Sequence, residues 1–173
     1  PMNDGVLLAN RQKEYDKGAK GWLLFVENGT LKFRYSPSNQ FNKPTYEPAS
    51  DEQKTIEGGK LNMGEWAHVA ITEKRDGSIR LYVNGMLTGE GERYRREHTL
   101  NNSTYLSLFA DAFEYAPIEA AVDELKIWNY ELNEEEIRRE MYSVNVDNRN
   151  GLVAYYAFNG ECLLYTSPSP RDR

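Results

Sequence analysis

The sequence predicts an all-β protein: an antiparallel β-sandwich of the jelly-roll type with one short helix near the C-terminus. Three observations carry this. Short runs of apolar, aromatic and β-branched residues recur along the chain, which holds twelve tyrosines and three tryptophans. Asn-Gly and Asp-Gly dipeptides fall between these runs, where hairpin turns need residues that tolerate positive φ. Only one segment combines an N-cap with helical spacing. Many short strands with a single short helix imply two packed antiparallel sheets.

The elements follow in order. Gly21-Trp-Leu-Leu-Phe-Val-Glu27 and Thr30-Leu-Lys-Phe-Arg-Tyr35 flank Asn28-Gly29 and read as a hairpin. Residues 36–60 are polar and hold Pro37, Pro44 and Pro48, so a long loop is expected, with one short strand near Thr55-Ile56. Ala67–Glu73 and Ser78–Asn84 flank a loop containing Asp76-Gly77, and Asn84-Gly85 turns the chain again into Met86-Leu87-Thr88. Together these make an antiparallel meander. Thr104–Phe109, Ala120–Asn129 and Gly151–Phe158 read as further strands. The helix is expected over Glu134–Tyr142, because Asn133 is a good N-cap and Glu136 completes a capping box. Acidic Glu134, Glu135 and Glu136 suit its dipole, and Ile137 and Met141 would dock on a sheet.

Composition bounds the function classes. The 173 residues are 39% hydrophobic, enough for one core. A net charge of −6, with both signs spread along the chain, argues against nucleic-acid binding, which needs a basic face. No apolar run is long enough to span a bilayer, so no membrane insertion is expected. The single cysteine, Cys162, excludes an internal disulfide and a cysteine-based zinc cluster. The chain opens with Pro1 rather than Met, which leads to the expectation of a fragment of a larger gene. The tail from Cys162 to Asp172 is rich in Pro and Ser, which predicts disorder, and it matches one reading frame of a common sequencing-library transposase adapter.

The stretch Gly64–Gly85 concentrates Trp66, His68 and several charges. Alternation explains it as two strands. Ile79, Leu81 and Val83 share one face, and Arg80, Tyr82 and Asn84 the other; Ala67, Val69 and Ile71 oppose Trp66, His68, Ala70 and Thr72. On this reading Trp66 is a core anchor burying about 200 Å², and His68 a satisfied sheet histidine. A catalytic His68 would need a nucleophile or carboxylate partner at a defined distance. No Gly-x-Ser-x-Gly elbow is present, and the other histidine, His98, stands in a polar loop.

Four blocks resemble a known family. They are Gly64-Glu-Trp-Ala-His-Val-Ala-Ile-Thr72, Gly77-Ser-Ile-Arg-Leu-Tyr-Val-Asn-Gly85, Ala121-Val-Asp-Glu-Leu-Lys-Ile-Trp-Asn129 and Leu132-Asn-Glu-Glu-Glu-Ile137. In this order they are similar to laminin-G-like modules of the concanavalin A-like jelly roll, in a superfamily that includes pentraxin-like domains. The resemblance runs from about Gly5 to Met141. The family's first strand has no match, so the module looks truncated at both ends. Gly151–Gly160 resembles the opening strand of a following module. The resemblance therefore implies residues 1–143 as a module lacking its first strand or strands, 144–161 as linker and first strand of a following module, and 162–173 as adapter translation. If the strand at 151–160 fills the edge left by the missing one, Val153 and Tyr155 should be buried or paired.

Retaining glycosidases place two carboxylates about 5–5.5 Å apart. Asp123 and Glu124 are neighbours on an expected strand and point to opposite faces, so they cannot act as such a pair. No catalytic residue is therefore expected. Asp123 shares a face with Leu125 and Ile127, so its carboxylate is expected to point toward the core, where it must be hydrogen-bonded, paired or metal-bound. The family resemblance implies Ca²⁺ as the metal, with Asp111 and Asp123 as candidate ligands. Sugar binding needs exposed aromatic faces beside amides and carboxylates. Tyr46, Tyr94, Phe113 and Tyr115 lie in polar, loop-like segments and are the candidates.

The expectation is a non-catalytic binding or adhesion module of a larger multidomain protein, extracellular or on a bacterial cell surface. Its partners would be a glycan or an extracellular protein, and neighbouring domains of the same chain. The alternative is a ligand-free spacer in a secreted bacterial enzyme. A glycoside hydrolase on the same fold is disfavoured by its missing carboxylate pair.

Overall fold

The computed structural model describes residues 1–14, 18–36, 54–92, 105–110, 118–144, 150–159 and 165–166. The chain divides into two compact units, Pro1–Ala120 and Ala121–Arg173. Its class is the expected one: antiparallel sheets and one short helix.

The first unit holds two sheets. One has five strands: β1 (Gly5–Glu14), β2 (Gly18–Glu27), β3 (Thr30–Ser36), β4 (Lys54–Lys60) and β8 (Ser107–Leu108), in the order β4-β3-β2-β1-β8. The other is the meander β5 (Val69–Glu73), β6 (Ser78–Val83) and β7 (Met86–Glu92). Both Asn-Gly turns form as their sequence requires: Asn28 and Gly29 take φ of 52° and 67°, Asn84 and Gly85 of 51° and 74°. At the third turn Asp76 Oδ1 accepts from both the backbone N–H and the hydroxyl of Ser78, and Gly77 adopts φ 93°.

The two sheets pack face to face. Leu24, Val26, Leu31, Phe33, Tyr35 and Ile56 from the larger sheet interdigitate with Ile79, Leu81 and Val83 of β6. The alternation read for β6 is therefore borne out. β2 is a continuous apolar run because both of its faces are buried: Leu24 and Val26 face that core, while Leu23 and Phe25 join Val6 and Ala9 in a second buried cluster. Where β4 and β7 approach, the backbones nearly touch. A Cβ at Gly89 would lie 2.1 Å from the Glu57 carbonyl oxygen, and one at Gly91 would lie 2.7 Å from Ile56 Cγ1.

The second unit contains β9 (Leu125–Trp128), α1 (Glu134–Met141), β10 (Leu152–Tyr156) and β11 (Tyr165–Thr166), with sheet order β11-β10-β9. The capping box forms in full. Asn133 Oδ1 accepts the Glu136 N–H at 2.9 Å, and Glu136 Oε2 accepts the Asn133 N–H at 2.8 Å. Ile137 is buried as expected, but the second buried helix residue is Glu140, and Met141 is only half-buried.

Several elements depart from the sequence reading; the strand expected over Ala120–Asn129, for one, shortens to Leu125–Trp128. β1 was not foreseen, although Val6-Leu-Leu-Ala9 starts it. The strand near Thr55-Ile56 extends over all of Lys54–Lys60. Tyr165 and Thr166, within the tail expected to be disordered, pair with Tyr155 and Ala154. Such pairing uses backbone groups, so tail composition gave no signal of it. β10 forms as read and pairs with β9; Tyr155 is buried and Val153, at a register shift, is exposed.

Candidate functional site

The connection between β4 and β5 is an exposed polar loop that presents an indole. Gly64 takes φ 76°, a left-handed conformation suited to glycine. Its N–H donates to the Pro1 carbonyl at 2.9 Å, and the Glu65 N–H reaches the Asn62 carbonyl at 3.4 Å. Asn62 Nδ2 donates to Glu65 Oε2 at 2.8 Å. At the far end, His68 and Asn84 exchange two bonds: the His68 N–H to Asn84 Oδ1, and the Asn84 N–H to the His68 carbonyl, at 2.9 and 2.8 Å. Between these fixed points Trp66 is 72% exposed. Met2 and Met63 are exposed beside the same loop, and the Met2 sulfur lies 3.8 Å from the Cβ position of Gly64.

The expected core role of Trp66 is therefore corrected. Regular pairing begins only at Val69, so the strand expected from Ala67 starts later and residue 66 is left in the loop. His68 lies just before β5, half-buried and tied through its backbone to Asn84.

Asp123 is also corrected. It is exposed, and its Oδ1 accepts the Glu124 N–H at 3.0 Å. Glu124 adopts φ 54°, which breaks the alternation assumed for an extended segment. The carboxylate that turns inward is that of Glu124: the Tyr155 hydroxyl donates to its Oε2 at 2.6 Å and lies 3.1 Å from the Val144 carbonyl. Beside this pair the Lys126 ammonium meets the carbonyls of Glu140 and Ser143 at 3.1 and 2.5 Å, and Glu140 Oε2 at 3.5 Å. The Lys126 and Glu140 side chains are 8% and 5% exposed. Lys126 also sits 5.9 Å from the centre of the Tyr155 ring. This cluster fastens the C-terminal end of α1 to the sheet, with a cation where the helix dipole favours one. Sequence reasoning missed Glu124, Lys126 and Glu140. The available signal was Lys126 standing between Leu125 and Ile127.

Of the other expected site residues, Tyr46, Tyr94, Asp111, Phe113 and Tyr115 lie outside the described residues. Among the described residues, no group of three or more His, Cys, Asp and Glu side chains is placed to hold a metal ion. No described helix is long and apolar enough to cross a membrane.

A family model described as the concanavalin A-like lectin/glucanases superfamily, laminin-G type, matches residues 14–138. The chain belongs to this superfamily. The matched segment includes the Trp66 loop, the meander, β9 and most of α1. Among solved structures, this superfamily member is similar to an S-layer domain-containing protein from Clostridium thermocellum, at 21% identity and a TM-score of 0.34. The likeness covers 80% of this chain and 63% of that one, so the chain spans under two thirds of that structure's length. No curated protein matches the chain.

Proposed function

We propose that this chain is a non-catalytic, extracellular glycan-recognition module in which Trp66 is the stacking platform. One observation carries the reading: a large aromatic side chain, 72% exposed, stands on a hydrogen-bonded loop beside an amide and a carboxylate. A sugar ring offers a C–H face and a rim of hydroxyls. The indole face matches the first, while Asn62 and Glu65 supply donors and acceptors for the second. Trp66, Met2 and Met63 are exposed together around one loop, and grouped apolar surface of this kind is what a ligand can cover.

Glycan-array screening of the purified chain, followed by titration of its best hit, tests this. Trp66→Ala should weaken binding at least about tenfold, equivalent to about 1.4 kcal/mol. Stability should stay within about 0.5 kcal/mol, because the side chain is exposed. Undiminished binding by Trp66→Ala would remove the platform. Capture of a protein instead of a glycan would move the module to protein adhesion.

A further inference from the structure

The first four residues touch three pieces of the first unit: the β2–β3 turn, the Trp66 loop and Glu119. Asp4 receives two successive amides of the β2–β3 turn: Asn28 N–H on Oδ2 at 2.6 Å and Gly29 N–H on Oδ1 at 3.1 Å. Both residues stand in the tight turn, where consecutive backbone N–H groups can face one anion. The carbonyls of the same two residues hold the start of the Trp66 loop. Asn28 O accepts from Lys60 Nζ at 2.8 Å, and Gly29 O accepts the Leu61 N–H at 2.9 Å. Pro1 takes the Gly64 N–H directly. Glu119 completes the brace: Met2 N–H donates to the Glu119 carbonyl at 2.7 Å, and Asn3 Oδ1 accepts the Glu119 N–H at 2.6 Å.

We infer that Asp4 is a positioning residue for the Trp66 platform, an inference that rests on the glycan reading above. The carboxylate draws on charge-assisted bonds, stronger than neutral ones, to fix the turn; the turn fixes Lys60 and Leu61; and these set where the loop leaves β4. Asp4 touches no ligand in this scheme. It acts by keeping the indole in one orientation, which lowers the ordering cost of binding.

The test uses the full chain labelled with 5-fluorotryptophan, which gives separate ¹⁹F resonances for Trp22, Trp66 and Trp128; Trp66→Phe assigns the central one. Asp4→Ala should increase the mobility of the Trp66 resonance, read by ¹⁹F relaxation, leave the other two unchanged, and raise the glycan Kd at least about threefold. Asp4→Asn, which keeps one acceptor oxygen, should fall between. Asp76→Ala is the control, since it removes a comparable exposed turn carboxylate in the same unit; it should leave Trp66 unaffected. If Asp4→Ala lowers only the melting temperature, with relaxation and Kd unchanged, Asp4 is merely structural and the inference falls. An equal response to Asp76→Ala also overturns it. The relaxation measurement needs no glycan, so it stands or falls separately from the ligand assignment.

Discussion

The two units of this chain are held together by different physics. The first packs aliphatic and aromatic side chains between two sheets, with Leu31 and Leu81 at 0% exposure, and buries Leu23 and Phe25 as fully on the other face of β2. The second buries a lysine, a glutamate and a tyrosine against the end of helix α1. An apolar core is non-directional and degrades gradually as volume is lost. A buried charge cluster is directional: with all partners present it is satisfied, and with one missing it leaves an uncompensated charge. The second unit should therefore tolerate paired replacement better than single replacement, while the first should show no such asymmetry.

Lys126→Met gives the largest expected effect. It leaves buried Glu140 without Lys126 and with the exposed Arg139 guanidinium at 3.9 Å, and loss of one partner of a buried pair costs about 3–5 kcal/mol. The double variant Lys126→Met/Glu140→Met should recover most of that in urea denaturation followed by far-UV circular dichroism. If the double variant were as unstable as the single, the contrast between the units would collapse. Leu81→Ala should cost about 2–5 kcal/mol in the same assay. A second truncation at Val26, in the same cluster, should lower stability further, because neither loss repairs the other.

The smallest effect lies on the outer surface of the larger sheet. Lys32 sits between Glu57 and Glu27 at 2.8 and 2.9 Å. Hydrogen bonding to Glu57, then to Glu27, raises the Lys32 pKa, and the bond to Lys32 lowers that of Glu57. A lowered carboxylate pKa contributes stability above its ordinary value of 4.5, which is lost as pH falls through the folded-state value. A raised lysine pKa contributes below 10.5 and is lost as pH rises through its folded value. The melting temperature of the parent chain should thus exceed that of Glu57→Gln at neutral pH and low salt, with the gap closing in acid. A gap that persists below the carboxylate range, or that ignores salt, would assign the effect to packing.

Much of the fold was legible because its signals are local. Asn28-Gly29 and Asn84-Gly85 set their turns through their own backbone preferences, and Asn133 with Glu136 built the cap within one turn of helix. The site was far less legible. Trp66 fell in the core only if both faces of its strand were covered and the strand ran upstream of Val69, where pairing starts. A positive φ at Glu124, which no side chain of that type announces, exchanged the roles of Asp123 and Glu124. Burial of Glu140 depends on Lys126, which is distant in sequence, so the helix pattern alone pointed to Met141. Asp4 is hidden for the same reason, since its amide partners lie a hairpin away.

The close passage of β4 and β7 has a bearing on how this scaffold can diversify. With 2.1 Å between a Cβ at residue 89 and the Glu57 carbonyl, no side chain has room there, and neither strand can shift without prying the layers apart. Variation is thereby excluded from this seam and left to the connections that leave it. A library built on this chain should keep Gly89, Gly91 and left-handed Gly64 and randomise the exposed positions Asn62, Met63, Glu65 and Trp66.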